Sequence, residues 1–118
     1  MARDTGAARA QDTAPAVPDL GELPGGVKAA LEAVLMVIAE PAADAELAAA
    51  LGVPVARVQQ LLAELQAEYD GVAGGVPRGF ELRSIAGGWR IFSRAGFAPV
   101  VSRFVREGQT ARLTQASL

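Results

Sequence analysis

From Val27 onward the apolar positions recur at a helical period. Val27, Ala30, Leu31, Val34, Val37 and Ile38 gather on one side of a helix that the pattern carries to Glu40. Adding Ala33 and Leu35 widens the apolar arc to roughly 200°, where an ordinary surface helix needs about 100°. Met36 stands in the middle of the opposite side with Lys28, Glu32 and Glu40. A helix with this much apolar surface either sinks into its own core or turns part of itself toward another subunit. Glu40-Pro41 marks its stop, because proline disfavours the α conformation in the residue before it. Asp44 is placed as N-cap of a second helix running to about Leu51. Pro54 opens a third near its first position, where a missing N–H costs nothing. Val55, Val58, Leu61, Leu62, Leu65 and Tyr69 form the stripe of that third helix, with Ala56, Gln59, Gln60, Ala63 and Gln66 outward.

A glycine-rich loop over 71–79 separates the helices from two alternating runs, Phe80–Ile85 and Trp89–Ser93, around Ala86-Gly87-Gly88. Phe80, Leu82, Ser84, Trp89, Ile91 and Ser93 share one face of this hairpin; Glu81, Arg83, Ile85, Arg90, Phe92 and Arg94 share the other. A Gly87-Gly88 turn sets Glu81 opposite Arg94, whereas an Ala86-Gly87 turn sets Arg83 opposite Arg90, a like-charge pair. Charge favours the first register. Phe97, Val100, Val101, Phe104 and Val105 then mark a fourth helix, whose apolar stripe is expected to join the core, with Arg103 and Arg106 on its wet side.

Ala48 and Gly52, four apart and followed by Val58 and Leu61, have the spacing of a helix-turn-helix. A small residue is needed where the helices cross, and a glycine where the turn needs positive φ. With the hairpin behind them, the three helices make an α+β fold, a winged helix-turn-helix with a two-stranded wing and a further C-terminal helix. A helix that reads base edges carries Arg, Lys, Asn or Gln near its start and cations for phosphates nearby. Here Ala56, Arg57, Gln59 and Gln60 give way to Glu64 and Glu68, so the motif reads as a scaffold for holding proteins.

Composition narrows the chemistry. The 118 residues contain no Cys and no His, which excludes disulfides, Cys/His zinc sites, thiol nucleophiles and histidine-based triads. Glu64 and Glu68 share a helical face with no sign of a pocket or metal, and neither Gly-Gly pair has the Lys-Ser/Thr of a phosphate loop. No enzyme, cofactor or metal is expected. The longest apolar run, Ala33–Ala39, falls far short of the ~20 residues that span a bilayer, and a cytoplasmic location is the default. Acids dominate 26–71, while Arg78, Arg83, Arg90, Arg94, Arg103, Arg106 and Arg112 dominate 76–112. Such a chain can attract itself or a polar protein partner. At most weak phosphate contacts are expected, from Arg78, Arg83, Arg90 and Arg94 on the wing. Leu35, Met36, Ile85 and Phe92 are the first suspects for a homodimer contact, as bulky apolar residues on the over-wide helix and on the wing's charged face.

The segments LEAVLMVIAEP (31–41), ELAAALGVPVARVQQLLAELQAEYD (46–70), GFELRSIAGGWRIFSR (79–94) and RLTQASL (112–118) closely resemble the segregation and condensation protein B (ScpB) family over about 27–118. The resemblance implies a non-enzymatic accessory subunit of bacterial condensin, acting in chromosome segregation. It implies two winged-helix domains, the first for homodimerisation and the second for gripping the kleisin ScpA, which closes the Smc ring. Residues 1–22, which mix Ala, Pro, Asp, Arg and Thr without periodicity, read as a disordered arm and 23–106 as the first winged helix, and the resemblance makes 107–118 a linker toward a second domain that a longer protein would carry. The competing readings are a winged-helix transcription regulator that binds DNA as a dimer, and a plain scaffold domain recruiting an unrelated protein.

Overall fold

Apolar burial organises this chain around three helices, and each begins and ends where a local signal dictates. The computed structural model describes residues 17–117. The arm expected over 1–22 therefore lies mostly outside the described residues; its end, Leu20–Glu22, forms a 3-10 turn capped by Asp19, with Leu20 packed on the core. Helix α1 (Gly26–Val37) stops earlier than the periodicity predicts, since Ile38 is already extended at ψ 139°. The early exit carries Ala42 to the edge of the hairpin, where it exchanges two backbone hydrogen bonds with Trp89 (2.7 and 3.0 Å).

Helix α2 (Asp44–Leu51) begins one residue earlier than an Asp44 cap would have it. Ala43 is the N-cap, and its backbone N–H is satisfied by Glu46 Oε1 at 2.8 Å. Asp44 sits instead in the first turn, where a negative charge meets the positive end of the helix dipole. At its far end Gly52 adopts φ 70°, the left-handed conformation expected of it, and its N–H closes on the Ala48 carbonyl at 2.8 Å. Ala48 is 4% exposed under the crossing of α2 with α3 (Val55–Tyr69), as its small size predicts.

Strands β1 (Phe80–Ile85) and β2 (Gly88–Ser93) pair antiparallel. Their faces are those the alternation predicts, but the register is the other one: Arg83 stands opposite Arg90, and Glu81 opposite Phe92. The turn is Ala86-Gly87, with φ 52° and 81°. Two positive φ values give the turn hand that matches the twist of the strands. Gly88 is then free to lie against Pro41, where a Cβ would come within 2.7 Å of the proline Cβ. A cost of about 0.2–1 kcal/mol for facing like charges does not overturn these two steric demands. Arg90 relieves it further by lying over the Phe92 ring, 5.4 Å from the centroid.

The core comprises Leu31 and Leu35 from α1, Leu47, Ala48 and Leu51 from α2, the Val58–Tyr69 stripe of α3, and Leu82 from β1. Trp89 and Ile91 of β2 pack at its margin. Helix α4 (Ala98–Ser117) follows a 3-10 turn, Ala95–Phe97, and over 98–109 it supplies none of the buried residues. The stripe expected to enter the core stays on the outside. Residues expected as a linker from 107 continue the helix.

Candidate functional site

The side of the fold that would read DNA is occupied by its own hydrogen bonds. Gln59 Nε2 donates to Asp44 at 2.8 Å, and Gln60 Nε2 to Glu64 at 3.3 Å. Glu64 and Glu68, the paired acids of α3, both meet Lys28 of α1, with the Glu64 contact at 3.2 Å. That arrangement raises the Lys28 pKa, chiefly through the hydrogen bond to Glu68. These carboxylates clamp two helices together. Among the described residues no group of three or more acids is placed to hold a metal ion, and no helix is long and apolar enough to cross a membrane.

Of the four arginines suspected of phosphate contact, Arg94 is fully engaged at the base of the wing. Its Nε donates to the Arg78 carbonyl (2.6 Å), and its Nη2 donates to the Tyr69 carbonyl (2.8 Å) and to Asp70 (2.7 Å). Nη1 reaches Glu81 at 3.6 Å, so this ion pair survives diagonally across the ladder. The Arg94 fork thus bolts the hairpin to the end of α3. Arg78 Nη1 donates to the Val76 carbonyl at 2.7 Å, and Arg90 covers Phe92. Arg83 is exposed on the outer face of the hairpin.

The four suspected dimer residues are scattered. Leu35 is 2% exposed and belongs to the domain's own core, because α1 turns that side onto α2 and α3. It is unavailable to a second chain. Ile85 lies at the hairpin tip beside Pro41 and Ala43, while Phe92 lies under Arg90 on the outer face. Met36, 78% exposed, borders an apolar cavity of about 250 Å³ together with Glu32, Tyr69, Phe80 and Ile91.

That cavity is apolar except at one edge. Tyr69 and Phe80 meet edge to face with centroids 4.9 Å apart, and the Tyr69 hydroxyl donates to Glu32 Oε2 at 2.5 Å. Burial, reinforced by the Glu32 carboxylate, pushes the Tyr69 pKa up, so the hydroxyl stays protonated and keeps donating. Opposite in character is the start of α4, where Phe97, Val100, Val101, Phe104 and Val105 are between 41% and 72% exposed. Sequence reasoning found this stripe and misassigned it. The signal it lacked was that α1, α2, α3 and the hairpin already close a core without it.

The chain is similar to known proteins over most of its described length. The family model of the segregation and condensation complex subunit ScpB matches residues 29–118. Segregation and condensation protein B of Moorella thermoacetica is 37% identical over 92 residues, covering 78% of this chain and 45% of that protein. The crystal structure of ScpB from Mycobacterium tuberculosis superposes with a TM-score of 0.64 at 36% identity, over 80% of this chain and 54% of that one. A dimer of an ScpB N-terminal domain complexed with an ScpA peptide shares the fold at 23% identity and a TM-score of 0.58, over 65% of this chain and 91% of that one. The chain thus spans about half the length of the whole relatives it matches. With a family model covering all but its first residues and a structural match at this identity, the chain belongs to the ScpB family of segregation and condensation complex subunits.

Proposed function

We propose that this chain is part of a non-enzymatic accessory subunit of the bacterial Smc–kleisin condensin complex, acting in chromosome segregation and condensation in the cytoplasm, at the nucleoid. Within it, the winged helix described above serves homodimerisation. One observation carries the reading: apart from Arg57, the polar side chains of α3 and the base of the wing are consumed by internal hydrogen bonds and ion pairs, whereas large apolar side chains are left uncovered on α4 and around Met36. Exposed apolar surface of this kind marks a protein-binding face. A related N-terminal domain is a dimer with an ScpA peptide, and both properties are extended here to this chain. The main grip on the kleisin ScpA, and through it on Smc, is assigned to the second winged-helix domain that the family resemblance implies.

Light scattering over a concentration series tests the first part, with a dimer mass expected at micromolar concentrations; a monomer at high micromolar concentration overturns it. Calorimetric titration with a purified ScpA middle segment tests the second. This chain is expected to bind at least about tenfold more weakly than a protein that also carries the second domain, a difference of about 1.4 kcal/mol. Equal affinities would place the recognition in this domain.

A further inference from the structure

Resting on the homodimer reading, we propose how the two copies hold each other: α4 of one copy seats its apolar stripe, led by Phe104, in the Met36–Phe80–Ile91 cavity of the other, and the exchange is reciprocal. Positions 97, 100, 101, 104 and 105 follow the i, i+3, i+4, i+7, i+8 spacing of a single helical face. Their own domain does not cover them. Phe97 lies beside Gly79 at the base of the hairpin, about 4 Å from where a Cβ would stand, and the 3-10 turn there launches α4 away from the body. Among the described residues none of α4 fills the cavity. An apolar cavity of about 150 Å³ already holds a benzene-sized ring, and this one has about 250 Å³.

Charge points the same way. Glu32 forms the acidic edge of the cavity. Beside Phe104 the α4 helix carries Arg103, whose side chain is 72% exposed and, among the described residues, pairs with Glu107 on its own helix. A surface pair of that kind yields easily to a partner's carboxylate. A two-fold axis makes every contact occur twice, which is how a short stripe and a small cavity add up to a stable interface.

The decisive experiment uses two variants, Phe104→Glu and Met36→Glu, each at a well-exposed position and each checked for unchanged helicity by circular dichroism. Both are expected to raise the dimer dissociation constant at least about tenfold, since each homodimer then has no intact seat. Mixed in equal amounts, they are expected to regain a dimer. The Met36→Glu copy still offers its stripe, the Phe104→Glu copy still offers its cavity, and one of the two seats is whole. If Met36→Glu dimerises like the parent while Phe104→Glu does not, the stripes pack on each other and the exchange is wrong, although the dimer stands. Two monomeric variants that fail to rescue one another also overturn it. A parent chain that stays monomeric removes the dimer itself.

Discussion

The hydroxyl of Tyr69, at the last turn of α3, donates to Glu32 in the middle of α1 across 2.5 Å. Two helices far apart in sequence are joined by this bond at the edge of the apolar cavity. Its loss in Tyr69→Phe is expected to cost about 1 kcal/mol at neutral pH, read from urea unfolding.

The same residue sets an alkaline limit. Tyr69 and Lys28 both have folded pKa values raised above their ordinary ones, so the stability they confer is complete below about pH 10 and is lost as the pH climbs through the folded values. Stability is expected to be flat between pH 7 and 9 as far as these groups decide it, and then to fall by at most about 1.4 kcal/mol per pH unit for the tyrosine proton. Because the chain has a single Tyr, tyrosinate absorbance in the near ultraviolet reports this site directly. A titration at the ordinary tyrosine value in the folded protein would contradict the assignment.

Arg94 should be the least replaceable charged residue. Arg94→Ala leaves the part-buried Tyr69 carbonyl without its side-chain donor and frees Asp70, for an expected loss of about 2–3 kcal/mol. Arg94→Lys should restore less than half, because an ammonium cannot repeat the fork. Denaturant midpoints of the three proteins decide this.

The hairpin turn is open to improvement. Ala86 holds φ 52°, which an alanine adopts at a cost, and Ala86→Asn is expected to stabilise by about 0.5–1 kcal/mol while Ala86→Val destabilises. Arg83→Glu, placed opposite Arg90, should add a few tenths of a kcal/mol, an effect that salt removes. Thermal unfolding of the single and double variants checks both and their additivity.

DNA binding should be weak and fade steeply between about 50 and 200 mM salt, because what remains for phosphates is mainly Arg57 on α3 and Arg83 on the wing. A fluorescence-anisotropy titration with random duplexes is the measurement. Sequence-selective binding that survives the higher salt would favour a transcription regulator.

Much of this was legible in the chain itself. Ala48 and Gly52 announced the helix crossing and turn, and alternation assigned Leu82 and Phe92 to opposite faces of the hairpin. Periodicity tells which residues share a face, though not what that face meets. Leu35 therefore passed for surface although α2 and α3 cover it, and Phe104 passed for core although it stands 72% exposed. The register was hidden for another reason. Charge at Arg83 and Arg90 was readable, but the close approach of Pro41 to Gly88 is a contact between segments remote in sequence.

The exchange of hydrogen bonds between Ala42 and Trp89 makes the linker between the first two helices a one-residue third strand. The wing is thereby stitched on both sides, by this bridge and by Arg94 at the end of α3. A hairpin held at one edge frays by itself, and its amides exchange with solvent at the rate of that local opening. Held at both, it opens only when the helices separate as well. The backbone protons of Ala42 and Trp89 should consequently exchange among the slowest in the domain, and the wing should behave as part of a single cooperative unit, a rigid platform from which α4 is presented.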